Sequence, residues 1–579
     1  MTYTIPWDSY LIRSGVWTYP QGGVVGFSIF SIPLEEVFFF VIQTYITSLL
    51  YILVNKPTLY VIHLFDDTDP KRAQAGYLRS RKRFGQGFFG CFTLSAYYFH
   101  SLPQAKGTYI ALICGWAGPV LLALWSLAYQ PLTTLPRSKT WLPILLPTAY
   151  LWVVDTIALL RGTWAIESRT KLGIQLWPGL EVEEALFFLV TNTLIVFGLT
   201  AFENALAVVE AFPSIFKVAP ALPDPGLLIR ALFLSPARYD RARIIGIRAA
   251  LANLSAKSRS FYLASSVFSG RLRIDLVLLY AFCRVGDDLV DDAKSADEAE
   301  QWIGRLDRFL TLAYSSDPSP PKLDEALAPF APNSRAILSL LPTKYLSSKP
   351  LFSLLDGFRS DAQFFRLEGN KGKVEKGDFP IKTASDVALY ASRVASTVAS
   401  LCIELVYHHD PKRDPSSNSN APKDIRDAGA NMGIALQYTN IARDVLVDAQ
   451  DGRCYLPTTW LQESKLTPKE VIDAGGKIRG ANDVRRRLLD YAFSIYLQNR
   501  AAIEELPIYA RAGIRVAVES YMEIGRVLVE KMADGKPVDR ISGSGRPNRA
   551  SVPKARRLLV GWGALNGRRR SLTPEQQAR

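Results

Sequence analysis

Cysteine and histidine are scarce in this chain of 579 residues. The cysteines are scattered without a CxxC pair, which argues against a disulfide framework and against a zinc site. They are Cys91, Cys114, Cys283, Cys402 and Cys454. The four histidines show no metal-ligand spacing, and His408 and His409, just before a polar loop, are predicted to be solvated. No glycine-rich dinucleotide fingerprint occurs, which disfavours nicotinamide chemistry.

Charge and apolar residues are unevenly distributed. The formal net charge is +14, 48% of the residues are hydrophobic, and long apolar runs dominate from Val24 to about Phe202. A basic chain suits an anionic partner such as a membrane surface or a phosphorylated substrate. Nucleic acid is disfavoured because zinc-finger spacing is absent and the aromatic residues concentrate in the apolar half. The length favours at least two domains.

Five segments are long and apolar enough to cross a bilayer, which takes about 20 mostly apolar residues. The connection from Asn55 to Arg83 carries seven basic residues, so the positive-inside rule places it in the cytosol. Four crossings later, the chain after about Glu203 should be cytosolic too. The sequence therefore predicts a lipid bilayer around a multi-pass helical bundle. The segments are roughly 24–54, 84–102, 107–128, 142–160 and 182–203.

A repeat links the two ends of this apolar region, with an offset of 147 residues at its start and 148 at its end. Both copies have an aspartate, a Gly-x-Trp and a Glu-Glu pair that opens an apolar helix. The first copy contains Trp7-Asp8, Gly15-x-Trp17 and Pro33-Leu34-Glu35-Glu36-Val37-Phe38-Phe39. The second contains Val154-Asp155, Gly162-x-Trp164 and Glu181-Val182-Glu183-Glu184-Ala185-Leu186-Phe187-Phe188. We expect the two pairs to lie at a similar depth.

The two copies differ in what precedes them. Two apolar helices come before Asp155, whereas only seven residues come before Asp8. The repeat therefore predicts that two upstream helices, roughly 45–50 residues, are missing. Either the gene model starts late or the chain is a shortened variant.

The Glu-Glu pairs are predicted to be functional. Carboxylates inside a membrane cost about 2.5–3.5 kcal/mol each on insertion scales and usually mark a site. A single pair could equally be a solvated helix N-terminus favoured by the helix dipole. Because two pairs occupy equivalent positions, each with an aspartate nearby, we predict catalytic roles for all four glutamates. They are Glu35, Glu36, Glu183 and Glu184.

A proline-rich stretch separates the apolar region from a helical C-terminal half. The predicted domains are a transmembrane domain (1–205), a linker (206–240), a helical domain (241–535) and a basic tail (536–579).

In the helical domain, the run from Tyr280 to Asp292 places Asp287 and Asp291 on one helix face, one turn after Arg284.

A second helix carries a polar stripe at spacings of three, four and four residues. Its members are Gln437, Asn440, Asp444 and Asp448. Carboxylates at i and i+4 repel each other. However, Mg²⁺ prefers oxygen ligands and joins one or two carboxylates to substrate phosphates. Two such helices are better explained by diphosphate binding through Mg²⁺, with Mn²⁺ as a substitute, than by a solvated acidic surface.

Three segments with this spacing resemble the phytoene/squalene synthase family over roughly Ile245 to Asp534. They are Ser258-Arg259-Ser260-Phe261-Tyr262, the aspartate run that ends at Asp292, and the stretch from Gln437 to Pro457. The resemblance implies an all-α isoprenoid-synthase fold with a central cavity lined by the two aspartate helices. The implied metal ligands are Asp287, Asp291, Asn440, Asp444 and Asp448. The implied substrate contacts are Arg259, Tyr262, Arg284, Gln437, Asn440 and Tyr521.

The chain departs from that family in the segment Tyr390-Ala391-Ser392-Arg393-Val394-Ala395-Ser396, where a second tyrosine is missing. Arg393 is one replacement that could serve there.

The N-terminal region, with its two Glu-Glu helices and its Trp-Asp segment, resembles membrane lycopene cyclases made of two related halves. Both parts in this order resemble the fungal bifunctional lycopene cyclase/phytoene synthase family.

This resemblance implies two activities. One is head-to-head condensation of two geranylgeranyl diphosphates, through prephytoene diphosphate, to phytoene without NADPH. The other is redox-neutral β-cyclisation of lycopene to γ- and β-carotene. Other enzymes of carotenoid synthesis are then potential partners.

Three alternatives stay open. A squalene-synthase-like activity would need NADPH and a C15 substrate. A head-to-tail prenyltransferase or terpene cyclase fits the first aspartate run, although the stripe from Gln437 to Asp448 argues against it. The N-terminal half could also serve only as a membrane anchor or as a carotenoid-binding module.

Overall fold

Helices account for most of the chain. The computed structural model describes residues 3–19, 24–67, 73–220, 222–316, 319–368, 379–412, 421–474, 479–538, 540–541, 547–548 and 551–568. The chain is 75% helical, and its described strands are two or three residues long. It divides into two compact units, Met1–Ile244 (unit 1) and Ile245–Arg579 (unit 2). The all-α fold class expected from the sequence is confirmed.

Unit 1 consists mainly of long apolar helices. They are α1 (Thr4–Arg13), α2 (Leu34–Asn55), α3 (Ala73–His100), α4 (Thr108–Thr134), α5 (Arg137–Leu160), α6 (Val182–Ala211) and α7 (Pro225–Leu232). A buried polar network joins α2, α5 and α6 around Asn192. Thr47 Oγ1 donates to Asn192 Oδ1 at 2.7 Å, and Asn192 Nδ2 donates to Thr148 Oγ1 at 2.9 Å. Such contacts hold helices together where water is absent.

The strands of unit 1 follow the sequence repeat. They are β1 (Trp17–Thr18), β2 (Ser28–Ile29), β3 (Ile32–Pro33), β4 (Ala165–Ile166), β5 (Gln175–Trp177) and β6 (Leu180–Glu181). The hairpin of β2 and β3 leads into α2, and the hairpin of β5 and β6 leads into α6. Between the copies, β1 pairs antiparallel with β4, so that Trp17 lies opposite Ile166. The repeat is therefore also a structural one.

Four of the five predicted membrane spans correspond to helices long and apolar enough to cross a bilayer: α2, α4, α5 and α6. The predicted start at residue 24 is wrong. Phe30 and Ser31 have φ angles of 54° and 71°, and Pro33 has a ψ of 144°, so this segment turns instead of forming a helix. The segment 84–102 lies in α3, which is not among the described helices that meet this criterion, and its crossing stays a prediction.

Two further differences concern the end of unit 1. The predicted linker 206–240 contains regular structure, because α6 continues to Ala211 and α7 packs against α6. The observed division between the units falls at Ile244.

Unit 2 contains fifteen described α-helices. They are α8 (Arg241–Lys257, which begins just before the boundary), α9 (Arg259–Ser265), α10 (Gly270–Asp291), α11 (Ala296–Ala313), α12 (Pro320–Leu327), α13 (Pro332–Leu338), α14 (Ser348–Glu368), α15 (Ala384–Ala391), α16 (Thr397–His408), α17 (Lys423–Gln450), α18 (Thr458–Glu463), α19 (Pro468–Asp473), α20 (Arg479–Asn499), α21 (Ile508–Ala533) and α22 (Lys554–Leu565). A π-helix (Ser392–Ser396) joins α15 to α16. A short hairpin is formed by β7 (Arg540–Ile541) and β8 (Pro547–Asn548).

Apolar packing in unit 2 explains a fifth apolar stretch, Ala384–His408, which is also long enough to span a membrane. Within it, Leu401, Leu405 and Val406 are fully buried, and α16 packs against α10, α14 and α17. We therefore interpret this stretch as core of unit 2.

His408 and His409 are less solvated than predicted, since both are partly buried. His409 Nε2 lies 2.7 Å from Asp275 Oδ2, and the His408 ring stacks on Tyr345 with centroids 3.8 Å apart.

Each aspartate helix of unit 2 has an apolar face and a polar face. On α10, the apolar side chains Ile274, Leu278 and Phe282 are almost fully buried. On α17, Gly433 packs so closely on the π-helix that a Cβ there would lie 2.8 Å from backbone atoms of Ala395. Because these faces are fixed by packing, the polar faces are held towards a common cavity.

Candidate active sites

The polar faces of α10 and α17 line one cavity of about 930 Å³ in unit 2. The lining includes all four aspartates predicted from the two motifs. It also includes five of the six predicted substrate contacts. The predicted residues that line it are Arg259, Arg284, Asp287, Asp291, Gln437, Asn440, Asp444, Asp448 and Tyr521. The two motifs, about 150 residues apart in the sequence, are thus brought together as expected.

On α10, Asp287, Asp288 and Asp291 each have a basic neighbour. Arg284 bridges Asp287 and Asp288, with N–O distances of 2.5 Å to each. Arg453 Nη1 donates to Asp291 Oδ1, also at 2.5 Å. Burial, and after it the nearby Asp291 carboxylate, nevertheless raise the pKa of Asp287 to about 6. Burial and the Asp291 carboxylate together therefore outweigh the nearby cations at Asp287.

On α17, the polar stripe is tied into a network. Tyr521 Oη donates to Asn440 Oδ1 at 2.6 Å, and Asn440 Nδ2 donates to Gln437 Oε1 at 3.3 Å. Arg443 binds Asp444 through two hydrogen bonds of 2.7 and 2.6 Å. The ring of Phe261 stacks on Tyr521, with centroids 5.2 Å apart. The first motif segment, through Phe261, thereby supports Tyr521.

A fifth carboxyl group beside the cavity was not predicted. Asp361 of α14 is 4% exposed and accepts a hydrogen bond of 2.7 Å from Tyr455 Oη. Burial raises the pKa of Asp361 to about 7. Tyr455 also stacks on Tyr390, with ring centroids 5.0 Å apart. Tyr390, Tyr455, Asp361 and Arg453 all line the cavity.

Sequence reasoning could have found only part of this group. Arg453 and Tyr455 follow the second aspartate helix, within the motif stretch that ends at Pro457. Their position near the aspartates is the signal that could have indicated a role in the site. Asp361 stands alone on its helix, and no spacing relates it to either aspartate pair.

Two predicted residues lie elsewhere. Tyr262 is partly buried but is not among the described residues that line the cavity. On α9, Phe261, Ala264 and Ser265 line the cavity at spacings of three and four residues, and Tyr262 lies on another side of this helix. Arg393, considered as a replacement for the missing tyrosine, is not among the lining residues either, and its guanidinium lies 3.5 Å from Ser360 Oγ.

The donor set fits a metal ion that is shared with a substrate. Among the described residues, no three acidic, histidine or cysteine side chains converge closely enough to hold an ion alone. The aspartates supply carboxylate oxygens at the cavity wall. Mg²⁺ usually takes one or two protein carboxylates and completes its shell with water and phosphate oxygens.

Unit 1 contains a second group of acidic side chains, here called the four-carboxyl cluster: Asp8, Glu36, Asp155 and Glu184. Asp8 interacts with Glu36, and Asp155 with Glu184; Glu36 and Glu184 also interact with each other. Asp8, Asp155 and Glu184 are at most 5% exposed. Glu36 is partly buried. The expectation that the two Glu-Glu pairs lie at a similar depth in the bilayer stays a prediction.

The cluster has few hydrogen-bond donors. Tyr19 donates a short hydrogen bond to Glu36. Neither oxygen of Asp8 receives one from the described residues, and one oxygen each of Asp155 and Glu184 is likewise without a partner. Adjacent carboxyl groups with so few donors are far more stable when they share a proton.

The other two predicted glutamates act differently. Glu35 Oε1 accepts the backbone N–H of Val25 at 2.6 Å, and Glu183 Oε1 accepts that of Leu172, also at 2.6 Å. Both contacts tie the segment before a hairpin to the start of the following helix, at equivalent positions of the repeat. The structure thus separates neighbouring glutamates that the sequence could not distinguish.

Aromatic rings pack next to the cluster. Trp7, adjacent to Asp8, stacks on Trp116 with centroids 4.4 Å apart and on Phe187 at 5.8 Å. Trp17 meets Phe187 edge to face at 5.7 Å. Aromatic faces attract cations.

Comparisons with known proteins show which family the chain belongs to. Residues 254–555 match the squalene/phytoene synthase family. Over 568 residues, the chain is 50% identical to the bifunctional lycopene cyclase/phytoene synthase of Phaeosphaeria nodorum, which covers 98% of this chain and 92% of that protein. The chain belongs to this bifunctional family. The protein of that name from Leptosphaeria maculans is 49% identical over 564 residues, which cover 97% of this chain and 92% of the relative.

One solved structure is described as a dehydrosqualene synthase in complex with ligand. It is 21% identical, with a TM-score of 0.40, and the match covers 56% of this chain and 96% of that chain. Squalene/phytoene synthases typically use a divalent metal ion with their diphosphate substrates.

The raised pKa of Asp361 leads to a prediction about how the stability of the folded protein depends on pH. Because an unfolded aspartate titrates near about 3.9, a proton favours the folded state, and stability is lost as the pH rises through about 7. Asp361→Asn keeps an acceptor for Tyr455 but stays neutral. Without divalent ions, its melting temperature should therefore fall less than that of the unmodified chain between about pH 5 and pH 8.

The matched control is Asp356→Asn, on the exposed side of the same helix. It should leave the pH dependence of the melting temperature unchanged. Equal pH dependence in the Asp361→Asn variant and the unmodified chain would show that Asp361 is ionised in the folded protein.

Proposed function

We propose that unit 2 condenses two geranylgeranyl diphosphates head to head to phytoene, and that unit 1 cyclises the ends of lycopene. The observation that supports the first activity most strongly is the pair of aspartate helices facing one cavity. Family membership supports both activities together. The enzyme therefore combines a transferase and an intramolecular cyclase in one chain.

In unit 2, the aspartates would hold Mg²⁺, which when bound supplies charge neutralisation for the departing diphosphate. Arg259 and Arg284, both in the cavity wall, add positive charge for the same phosphate groups. Tyr521 is held by its hydrogen bond to Asn440 and by Phe261, so it stays oriented towards the cavity.

The rest of the wall suits the allylic cation left behind. It includes Val277, Leu279, Phe358, Val398 and Val518, among other apolar residues. Such a lining excludes water, which would otherwise capture the cation. The second substrate's double bond can then attack the cation, and the attacked carbon loses a proton as it closes the cyclopropane of prephytoene diphosphate. Its ionisation, rearrangement and loss of a proton give phytoene without a reductant.

In unit 1, the four-carboxyl cluster would supply the acid and the base. A proton shared by one pair is available for a terminal double bond of lycopene. The resulting cation closes the ring, and an ionised carboxylate of the cluster accepts the proton lost afterwards. The aromatic rings of Trp7, Trp116 and Phe187 lie beside the cluster and stabilise positive charge.

The apolar helices associate the chain with a membrane. We propose that unit 2 lies in the cytosol. The seven basic residues between Asn55 and Arg83 support this, provided that α3 crosses the bilayer. Exposed apolar side chains along α3, namely Phe84, Phe88, Leu94, Tyr97 and Tyr98, suit contact with lipid.

The synthase proposal predicts that Asp287→Ala or Asp448→Ala lowers phytoene formation by about 10²-fold or more, because a diphosphate-neutralising group is lost. Phytoene made from geranylgeranyl diphosphate and Mg²⁺, without NADPH, is measured by chromatography. Asp292→Ala is the matched control, since this exposed aspartate lies beyond the end of α10. Near-normal synthesis by both folded variants would refute the assignment.

The cyclase proposal predicts a split among the acidic residues. Glu36→Gln, Glu184→Gln or Asp8→Asn should lower β-carotene formation from lycopene by roughly 10²–10⁴-fold, as expected for loss of a general acid or base. Glu35→Gln and Glu183→Gln keep the acceptor oxygen for the backbone N–H and should retain most activity. The reverse pattern would contradict these roles.

A further inference from the structure

Helix α22 presents two apolar faces, only one of which is covered. Val560 and Ala564 are almost fully buried. On this inner side, α22 packs against α21, and Ala564 joins a small core with Ala264 and Val516. The helix is therefore a fixed part of unit 2.

Ion pairs fix the helix further. Arg556 binds Glu530 through two hydrogen bonds of 2.6 and 2.7 Å, and it binds Glu523 at 2.5 Å. The outer face accordingly keeps a constant orientation relative to the rest of unit 2.

The outer face is a ridge of large apolar side chains: Leu558, Leu559, Trp562 and Leu565. They are 64%, 68%, 64% and 40% exposed, respectively. Their spacing places them on one side of the helix, opposite the buried face. Among the described residues of unit 2, these are four of nine exposed large apolar side chains, on one helix of 12 residues. Such clustering marks an interaction surface.

The charge around the ridge indicates what covers it. No acidic residue occurs between Arg540 and Arg570, whereas Lys554 precedes the ridge and Arg568 follows it, both exposed. A helix with a Trp-Leu face and flanking basic residues is typical of segments that lie in the headgroup region of a bilayer. The apolar helices of unit 1 already place the chain at a membrane.

We propose that the outer face of α22 docks into an anionic bilayer surface. The helix itself adjoins the cavity, because Val552, just before α22, and Arg557, within it, line the cavity. If the proposed function of unit 2 holds, its hydrocarbon product forms next to the lipid in which it dissolves. The docking itself does not depend on that activity.

A fluorescent label can locate the ridge in the full chain. In a Cys91→Ser background, which removes the exposed cysteine, Leu559→Cys carries the label. Leu389→Cys, at an exposed leucine on α15, is the matched control. Both proteins are reconstituted in vesicles of phosphatidylcholine and phosphatidylserine, and phytoene formation is measured in the same samples. That activity shows separately whether the proposed function holds.

The label at residue 559 should be quenched by nitroxide lipids at a depth of roughly 5–10 Å and protected from aqueous dithionite. The label at residue 389 should be reduced by dithionite. Equal reduction of both labels would overturn the proposal. Protection of residue 559 without quenching by lipid would overturn it too, because a protein would then cover the ridge.

Discussion

Carboxyl groups that face one another away from water cannot all be ionised without a counter-charge. Both units of this protein contain such groups, and their chemistry depends on how the repulsion is relieved. In unit 1, three members of the four-carboxyl cluster are buried and the cluster has few donors, so sharing a proton is the available solution. In unit 2, Arg284 and Arg453 offset part of the charge, and a substrate-bound metal ion can offset the rest.

The two solutions suit two kinds of cation chemistry. A shared proton can start a cyclisation by protonating a double bond, whereas a neutralised diphosphate can leave as an anion. Each site also has surroundings that protect a carbocation: stacked aromatic rings in unit 1 and an apolar wall in unit 2. In both, packing fixes the carboxyl groups. The hairpins anchored by Glu35 and Glu183 do so in unit 1, and the close contact at Gly433 does so in unit 2.

Helical spacing explains why much of the synthase site could be predicted from the sequence. Positions i and i+4 share a face, so Asp287 with Asp291, and Asp444 with Asp448, could be placed before the fold was known. Asp361 could not, because its neighbours in space come from other helices. Tyr262 is predicted in the site by resemblance alone. A sequence motif does not determine which side of a short helix faces the cavity.

In unit 1, the repeat predicted equivalent carboxyl groups but not their division of roles. Glu35 and Glu36 are adjacent, and consecutive helical residues point about 100° apart. Whether Glu35 or Glu36 faces inward depends on the hairpin before α2, because the backbone N–H of Val25, just before that hairpin, donates to Glu35. The start of the first span was also misjudged, since an apolar run from residue 24 conceals the turn at Phe30 and Ser31.

The central claim is that each unit performs its own cation chemistry with its own carboxyl groups. The most direct measurement supplies the full chain in vesicles with geranylgeranyl diphosphate, Mg²⁺ and lycopene, and quantifies phytoene and β-carotene together. Asp444→Ala should abolish phytoene and leave β-carotene formation intact, and Asp155→Asn should do the reverse. Loss of both products in either variant, with the protein still folded, would contradict the account.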